Sequence, residues 1–326
     1  MELPKSLRRA VDRVLSGVPL AELAAAWAAL SQRYREERDD GKRRVASERE
    51  AFAYLATRLP ATYAAVRASF AAVAAARPDF APKALLDIGA GPGTVLWAAA
   101  DCWPNLANAL LIEANPIFRT CGEELAAQAQ LPQASWRIAD VAADTVDDWA
   151  PRDLVAAAYV LNELAENARQ SIVQRLWRAT AETLVIIEPG TPAGWQGILA
   201  ARRQLIASGA QVIAPCPHAQ ACPLQPPDWC HFAQRIARSR LHRQTKGGEV
   251  PWEDEKFSYV AVSRVPGARA NPRVIARPRK GRGRVTLKLC RPDGSAGETL
   301  FSRRDGASFK RAARCDWGSS LDHDDR

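Results

Sequence analysis

A glycine-rich stretch in the first half of the chain has the composition of a loop that holds a nucleoside-containing cofactor. It reads Asp87-Ile-Gly89-Ala-Gly91-Pro-Gly93 and directly follows a short apolar segment, Ala84–Ile88. Glycine permits positive φ angles and close approach of the backbone to a ligand, both of which a cofactor loop between a strand and a helix requires. The spacing is G-x-G-x-G, which differs from the G-x-G-x-x-G of dinucleotide-binding loops.

Three carboxylates stand where they could contact such a cofactor. Glu113 ends a second apolar segment, 20 residues after Gly93, where a carboxylate can accept hydrogen bonds from both ribose hydroxyls. Asp140 follows a third segment and could reach the adenine amine, although aspartate is also an ordinary turn residue. Asp87 lies at the mouth of the loop, near the expected methionine portion. Together these residues predict S-adenosylmethionine (SAM), ahead of a nicotinamide cofactor or a fold that has lost its ligand.

The residues that would catalyse a transfer are less well defined. Amino-group methyltransferases often carry an Asn/Asp-Pro-Pro-aromatic turn after the fourth strand, whereas this chain has Val160-Leu-Asn162-Glu163-Leu164. Asn162 and Glu163 are the candidates for orienting a methyl acceptor, but Asn162 could equally cap the next helix. Methylation of a cytosine carbon would need a cysteine thiolate. Cys216 is a poor candidate because its neighbours favour a metal ligand.

Three of the seven cysteines, Cys216, Cys222 and Cys230, fall within fifteen residues and are flanked by prolines. The odd number of cysteines and an expected cytosolic setting argue against disulfides. The spacing predicts a metal centre, with buried spare thiols as the alternative. Four sulfurs suit zinc or an iron–sulfur cluster, and the lack of close Cys-x-x-Cys pairs slightly favours the cluster. The fourth ligand would be Cys290, His218, His231 or Cys315.

The net charge of +9 is concentrated in the second half of the chain. Residues 1–190 contain 21 Lys and Arg against 24 Asp and Glu, whereas residues 191–326 contain 24 against 12. The run from Arg264 to Arg291 holds ten basic residues and no acid. Such a field attracts polyanions by releasing their counterions, so we expect nucleic-acid contact rather than a merely solvated surface. The candidate RNA-binding residues are Arg273, Arg277, Arg279, Lys280, Arg282 and Arg284.

The pattern of apolar residues predicts the elements that would position these groups. Residues 1–80 read as a helical region, and after them short apolar segments alternate with helical ones, which is typical of a parallel sheet covered by helices on both faces. We therefore expect an α/β chain with a Rossmann-like SAM-dependent methyltransferase fold and a C-terminal cysteine-rich, basic β extension. The predicted divisions are a methyltransferase domain at 81–265, a cysteine-rich insertion within it at 211–235, and a basic, mainly β extension at 266–326.

The composition bounds the cellular setting that we expect. Apolar residues make up 47% of the 326 residues, enough for a sizeable core. No apolar run approaches the roughly 18 residues of a membrane span. Glu2, Lys5 and Asp12 interrupt the start of the chain where a signal peptide would need an apolar run. We expect a monomeric bacterial cytoplasmic protein without a membrane partner.

Several motifs together resemble the methyltransferase-like proteins of the mitochondrial small ribosomal subunit and their bacterial relatives. The most specific is Cys216-Pro-His-x3-Cys222-Pro-Leu with Trp229-Cys230-His-Phe232; the others are Tyr54–Tyr63, Leu86–Gly93 and Asp254–Val260. The resemblance extends from about residue 20 to 315. It implies a [4Fe–4S] cluster held by four cysteines, with Cys290 as the fourth ligand and Cys315 as the fallback. It also implies a role in small-subunit assembly and binding to the ribosomal RNA.

The predicted cofactor loop, cysteine segment and basic run are consistent with two functions. One is SAM-dependent methyl transfer to small-subunit ribosomal RNA. The other is a non-catalytic iron–sulfur assembly factor that binds this RNA, in which the cofactor domain is a scaffold or sensor. The missing Pro-Pro-aromatic turn leaves open whether the chain is an enzyme.

Overall fold

An eight-stranded sheet forms the centre of the chain. The computed structural model describes residues 1–36, 45–141, 149–268 and 271–321, with only the backbone of residues 34–36; Arg269 of the basic run lies outside these ranges. The strands are β1 (Ala84–Ile88), β2 (Asn108–Glu113), β3 (Gln133–Ile138), β4 (Arg152–Ala158), β5 (Thr180–Pro189), β6 (Gln211–Ala214), β7 (Phe232–Ala237) and β8 (Trp252–Ser263). Their order is β3-β2-β1-β4-β5-β8-β6, and β7 also pairs with β8.

The strand directions identify the fold class. Strands β1 to β5 are parallel, whereas β8 runs antiparallel to β5, β6 and β7. A reversed strand inserted between the fifth and sixth strands is the arrangement of Rossmann-like SAM-dependent methyltransferases, so the predicted α/β fold class is confirmed. Ile88 lies opposite Ile112 on one side and Ala157 on the other, so β1, β2 and β4 end at the same edge.

Helices cover both faces of the sheet because each buried strand alternates between two apolar cores. Leu85 packs with one core and Leu86 with the other, and both are fully buried. The first core contains residues of α1 (Lys5–Val14), α2 (Leu20–Glu36), α3 (Glu48–Thr57), α4 (Leu59–Ala76), α5 (Thr94–Cys102) and α6 (Pro116–Ala126). The second contains residues of α7 (Glu166–Arg178) and α8 (Pro192–Ala207).

Helix α4 is long and apolar enough to cross a membrane by length and composition, with a mean hydropathy of 1.2. Within the fold, however, 61% of it is buried. It packs against α5 and β8, and its Arg67 donates to Asp101 of α5 at 2.7 Å. Its apolar character is therefore accounted for by packing inside the first core.

The C-terminal part, residues 271–321, forms a second, smaller sheet with its own core, and we call it the basic arm. Its strands and helix are β9 (Arg273–Val274), β10 (Arg279–Gly281), β11 (Arg284–Cys290), β12 (Ala296–Ser302) and α10 (Gly306–Arg314). Buried Val285, Leu287 and Leu289 of β11 pack with Ala312 of α10. This part of the chain thus contains the strands β9 to β12 and a helix that the sequence pattern did not indicate. Both β6 and β7 pair with β8, so the segment between them, residues 215–231, is anchored to the main sheet at both ends. We call it the cysteine segment.

Candidate cofactor crevice, cysteine cavity and basic arm

The glycine loop follows β1 and leads into α5. Gly89, Gly91 and Gly93 have φ angles of +66°, +53° and +78°, the left-handed region that glycine adopts most readily. A Cβ atom on Gly89 would lie 2.5 Å from Val160 Cγ2, so the close packing of two loops also requires glycine there. Beside Gly91 there is open space within 4 Å, which leaves room for a ligand against the backbone.

Asp87 is a buried carboxyl group without a partner. Its residue is fully buried in β1, and neither of its carboxylate oxygens accepts a hydrogen bond among the described residues. Burial raises its pKa well above the ordinary value, and the nearby carboxylate of Glu113 raises the pKa further. An unpaired buried carboxyl at the mouth of the glycine loop fits a ligand that carries positive charge.

Glu113 connects the glycine loop to the end of β2. Its Oε2 accepts a hydrogen bond from the Gly91 N–H and its Oε1 one from the Asn115 N–H, both at 2.7 Å. A carboxylate has about four lone-pair positions, so it can accept more hydrogen bonds than these two. The Asn115 side chain donates to the carbonyl of Val45, which fixes the N-terminal region beside the crevice. Asp140 lies exposed after β3, at the same edge of the sheet.

The turn after β4 begins with a backbone angle that is unusual for a bulky residue. The strand ends at Ala158. The next residue, Tyr159, has a φ of +62°, and among the described residues it is the only non-glycine residue with a positive φ. Such an angle strains a bulky residue. It is held by hydrogen bonds from the Tyr159 N–H to Ile187 O at 2.7 Å and from its hydroxyl to Glu255 at 2.8 Å. Arg58 contacts both oxygens of Glu255 at 3.3 Å.

Asn162 and Glu163 lie in a single turn of 3₁₀ helix after this point. Buried Glu188 accepts hydrogen bonds from the N–H groups of Leu161 and Asn162, at 2.8 and 3.1 Å. Burial raises the pKa of Glu188 to about 8. In the amide orientation that satisfies its neighbours, Asn162 donates to Glu188 and to the Tyr159 carbonyl. Asn162 therefore stabilises the turn and does not cap α7. The side chain of Glu163 is exposed.

The structure brings together the four cysteines that the sequence singled out. Cys216, Cys222, Cys230 and Cys290 line one cavity beside α8, the first three from the segment between β6 and β7 and the last from β11. His218 also lines it, and its Nε2 lies 3.4 Å from the Cys290 sulfur. The fallback Cys315 lies elsewhere, in the core of the small sheet. The residues that line this cavity do not include the fourth-ligand candidate His231.

A buried guanidinium reduces the cost of ionising a thiol in this cavity. Burial raises the pKa of the Cys216 and Cys230 thiols, and raises that of Cys290 to about 12. Arg202, which is 2% exposed, donates to the His218 carbonyl at 2.6 Å and lowers the pKa of Cys216. Among the described residues, no three His, Cys, Asp or Glu side chains are arranged around a single metal ion.

The predicted RNA-binding residues fall into two groups. Arg273 donates to two backbone carbonyls, so its guanidinium serves the fold. Arg279 contacts both oxygens of Glu298, at 2.7 and 2.6 Å, and Lys280 lies 3.5 Å from Asp316. The remaining three are exposed and have no ion pair within the described ranges: Arg277, Arg282 and Arg284.

Two further arginines join this exposed group through strand pairing. The turn between β10 and β11 contains Arg282, and Arg284 lies opposite Ser302 on β12. The next residue, Arg303, donates its N–H to Gly283 O at 3.1 Å, which places Arg303 and Arg304 at the same end of the small sheet. We call the exposed set Arg282, Arg284, Arg303 and Arg304 the arginine tip. Arg303 and Arg304 were not predicted from the sequence because they lie outside the basic run.

The family model for the mitochondrial small ribosomal subunit protein Rsm22 matches residues 48–322. This chain belongs to the Rsm22 family. The human mitochondrial ribosome assembly protein METTL17 is 32% identical over 290 residues, which cover 82% of this chain and 61% of METTL17. The mitochondrial Rsm22-cox11 tandem protein 2 of Schizosaccharomyces pombe is 21% identical, over 86% of this chain and 44% of that protein.

This Rsm22-family chain therefore spans about half to three fifths of the length of these relatives. The expected bacterial cytoplasmic location is contradicted, because the family and both relatives are described as mitochondrial. Among solved structures, the SAM-bound magnesium protoporphyrin IX methyltransferase of Synechocystis PCC 6803 has a TM-score of 0.43 at 13% identity, covering 77% of this chain and 99% of that one. The plantazolicin methyltransferase BpumL has a TM-score of 0.40 at 13% identity, over 76% and 98%.

Proposed function

We propose that this chain is a SAM-binding assembly factor of the small ribosomal subunit that docks on the ribosomal RNA through its C-terminal arm. The observation that carries the cofactor assignment is the unpaired, buried carboxyl of Asp87 beside the open face of Gly91. Membership of the Rsm22 family carries the ribosomal assignment. The exposed arginines of the small sheet supply the positive charge that contact with RNA requires.

The cofactor would lie across the carboxyl ends of β1, β2 and β3. The loop amides around Gly91 and the Glu113 carboxylate would hold its nucleoside, with Asp140 towards the adenine, and Asp87 would face its positively charged methionine portion. When bound, SAM supplies an electrophilic methyl group. The burial of Asp87 strengthens its attraction to that charge, because few water molecules screen it.

Catalytic methyl transfer to small-subunit RNA is the first form of this function. Its test is incubation of the full chain with radiolabelled SAM and either free small-subunit RNA or immature particles. Incorporation into one of these RNAs supports transfer, whereas no incorporation into either contradicts it and leaves binding intact. Asn162 and Glu163 stay candidates for contact with the acceptor.

A non-catalytic form is favoured by the turn after β4. The polar groups of Tyr159 and Asn162 are already paired with Glu255 and Glu188, rather than pointing unpaired towards an acceptor. The discriminating variant is Gly91→Asp, which fills the open space at the loop. Gly209→Asp is the matched control, since Gly209 also has a positive φ and open space around it but follows α8. Loss of assembly function in the first variant alone would contradict a pure scaffold.

The four cysteines of the cavity are proposed to hold a [4Fe–4S] cluster, with zinc as the alternative. Their shared cavity and the guanidiniums of Arg202 and Arg273 beside it support an anionic sulfur-ligated centre. A single zinc ion needs its ligands about 2.3 Å away around one point, and the described donors are not so arranged. A cluster of several atoms allows its ligands to lie further apart.

The test is an anaerobic visible spectrum with iron, sulfide and zinc quantified on the same sample. The cluster predicts broad visible absorbance with matching iron and sulfide, and Cys222→Ser should abolish it. Cys102→Ser, which changes a cysteine of α5 outside the cavity, is the control. A colourless wild type loaded with zinc would overturn the cluster in favour of the alternative.

A further inference from the structure

Three aromatic rings near the cysteine cavity contact one another, and each stays partly exposed. Trp229 and His231 are nearly parallel, with ring centroids 5.0 Å apart and an angle of 18° between planes. Trp317 meets His231 edge-on at 4.7 Å. We call these three residues the aromatic ladder. All three are half-buried, and the Trp317 indole N–H has no acceptor among the described residues.

The aromatic ladder extends from the crevice edge towards the basic arm. At one end, the Trp229 indole donates to the carbonyl of Gly190 at 3.0 Å, and Gly190 directly follows β5. The carboxyl end of β5 belongs to the same edge of the parallel sheet as the glycine loop. At the other end, Asp316 next to Trp317 lies 3.5 Å from Lys280, in the strand that leads to the arginine tip.

The surroundings of the ladder are suited to a negatively charged strand. Lys256 acts electrostatically on His231 and is itself exposed. The two acidic neighbours of the ladder are each paired with a lysine, Asp228 with Lys288 and Asp316 with Lys280. Aromatic faces bind unpaired bases by stacking, while neighbouring cations bind the phosphates between those bases. Duplex RNA cannot use such a surface in this way because its bases already stack on one another.

We propose that the aromatic ladder is a stacking site for unpaired bases of single-stranded RNA, which it directs from the arginine tip towards the cofactor crevice. This inference rests on the proposed binding of ribosomal RNA and names the form of RNA that the arm accepts next to the crevice. The competing explanation is that the rings only brace the cysteine segment against the C-terminal tail. A brace would affect stability but would not distinguish single strands from duplexes.

The test compares two RNA probes on the full chain, purified anaerobically so that any metal bound by the cysteines is retained. Fluorescence anisotropy measures binding of a labelled oligouridine, whose bases stack poorly on one another, and of a hairpin duplex with as many phosphates. Trp317→Leu should weaken oligouridine binding roughly tenfold, the size of one base–aromatic stack, and leave duplex binding nearly unchanged. His231→Leu should act likewise, whereas His231→Phe should retain wild-type affinity because a stacking ring remains.

The matched control is Trp252→Leu, because Trp252 is 45% exposed at the start of β8 but does not belong to the ladder. It should change neither affinity. Wild-type affinity of Trp317→Leu for oligouridine overturns the proposal. Equal loss for both probes, with a lower melting temperature, also overturns it and identifies a brace. A wild type that binds only the duplex removes the stacking site yet leaves RNA binding by the arginine tip standing.

Discussion

The buried carboxyl of Asp87 destabilises the folded protein when it ionises, and a cationic ligand beside it would reduce that destabilisation. Because its pKa is raised, the folded protein holds this proton more tightly than the unfolded chain, and stability is lost as pH rises from about 4 through the raised pKa. Asp87→Asn should therefore increase the free energy of unfolding of the cofactor-free protein near pH 8 by about 1–3 kcal/mol. Urea unfolding at several pH values measures this.

The same substitution should weaken SAM binding at least tenfold, since a charged hydrogen bond contributes about 1.5–3 kcal/mol. Isothermal titration calorimetry measures the affinity. Asp153→Asn is the control: Asp153 accepts from the N–H groups of Lys83 and Ala84 at the opposite end of β1, so its loss should lower stability without affecting SAM. Unchanged SAM affinity in Asp87→Asn would remove this residue from the cofactor site.

The raised pKa of Glu188 should make the stability of the folded protein depend on pH. Its folded pKa of about 8 exceeds the ordinary value of 4.5, so its contribution to stability is complete below that ordinary value and is lost as pH rises through 8. The limiting slope for one such group is about 1.4 kcal/mol per pH unit. Glu188→Gln cannot ionise and should flatten the decline between pH 5 and 8. Parallel stability curves for wild type and variant would show that Glu188 does not cause it.

One part of the candidate site could be predicted from residue types, whereas the other part is visible only in the folded chain. Asp87, Glu113 and the glycines could be found in the sequence because each stands at the end of an apolar segment. Tyr159 carries no such signal, since its strain depends on Glu255, almost a hundred residues later. The charge of Arg202 next to Cys216 was equally hidden, because α8 and the cysteine segment meet only in the folded chain.

At the scale of elements, the alternation of apolar and helical segments predicted a parallel sheet, and β1 coincides with the apolar segment Ala84–Ile88 before the glycine loop. The fourth strand stops at Ala158 because the next residue has a positive φ, a feature that no sequence pattern carries. Helix α10 lacked a signal because its nine residues bury only Ala312 fully. The pairing of β11 with β12 is likewise not visible in a sequence pattern, although it places Arg303 and Arg304 at the end of the small sheet where Arg282 and Arg284 lie.

The arginine tip should determine how RNA binding responds to salt. Each phosphate contact contributes roughly 0.7–0.9 to the slope of log affinity against log salt. Replacing Arg282, Arg284 and Arg303 together by glutamine should therefore reduce that slope by roughly two to three. Filter binding of small-subunit RNA across a salt series measures the change.

Two single variants serve as controls for this slope. Arg279→Gln should have a smaller effect, because that guanidinium is already engaged with Glu298. Arg240→Gln alters an exposed arginine of α9 (Arg240–Lys246), away from the small sheet, and should have none. A triple variant with the wild-type slope would show that RNA contacts another surface.

At the scale of the whole molecule, the cysteine cavity joins the two sheets. Three of its cysteines belong to the segment between β6 and β7, and Cys290 ends β11 of the small sheet. Arg273 of the small sheet contributes to the same junction by donating to the carbonyl of Pro215. A centre bound by all four thiolates would cross-link the cofactor domain to the basic arm, so its binding energy would contribute to the folding of that arm.

Loss of the proposed metal centre should therefore loosen the basic arm and leave the main sheet unchanged. Cys222→Ser, or anaerobic removal of iron, should speed amide hydrogen exchange in β11 and α10 while β1 to β5 keep their protection, because those strands are held by their own two cores. Exchange mass spectrometry resolves these segments, with Cys102→Ser as the control that should leave both sheets unchanged. Equal acceleration in both sheets would mean that the cavity stabilises the whole chain, and unchanged exchange in β11 would mean that it does not anchor the arm at all.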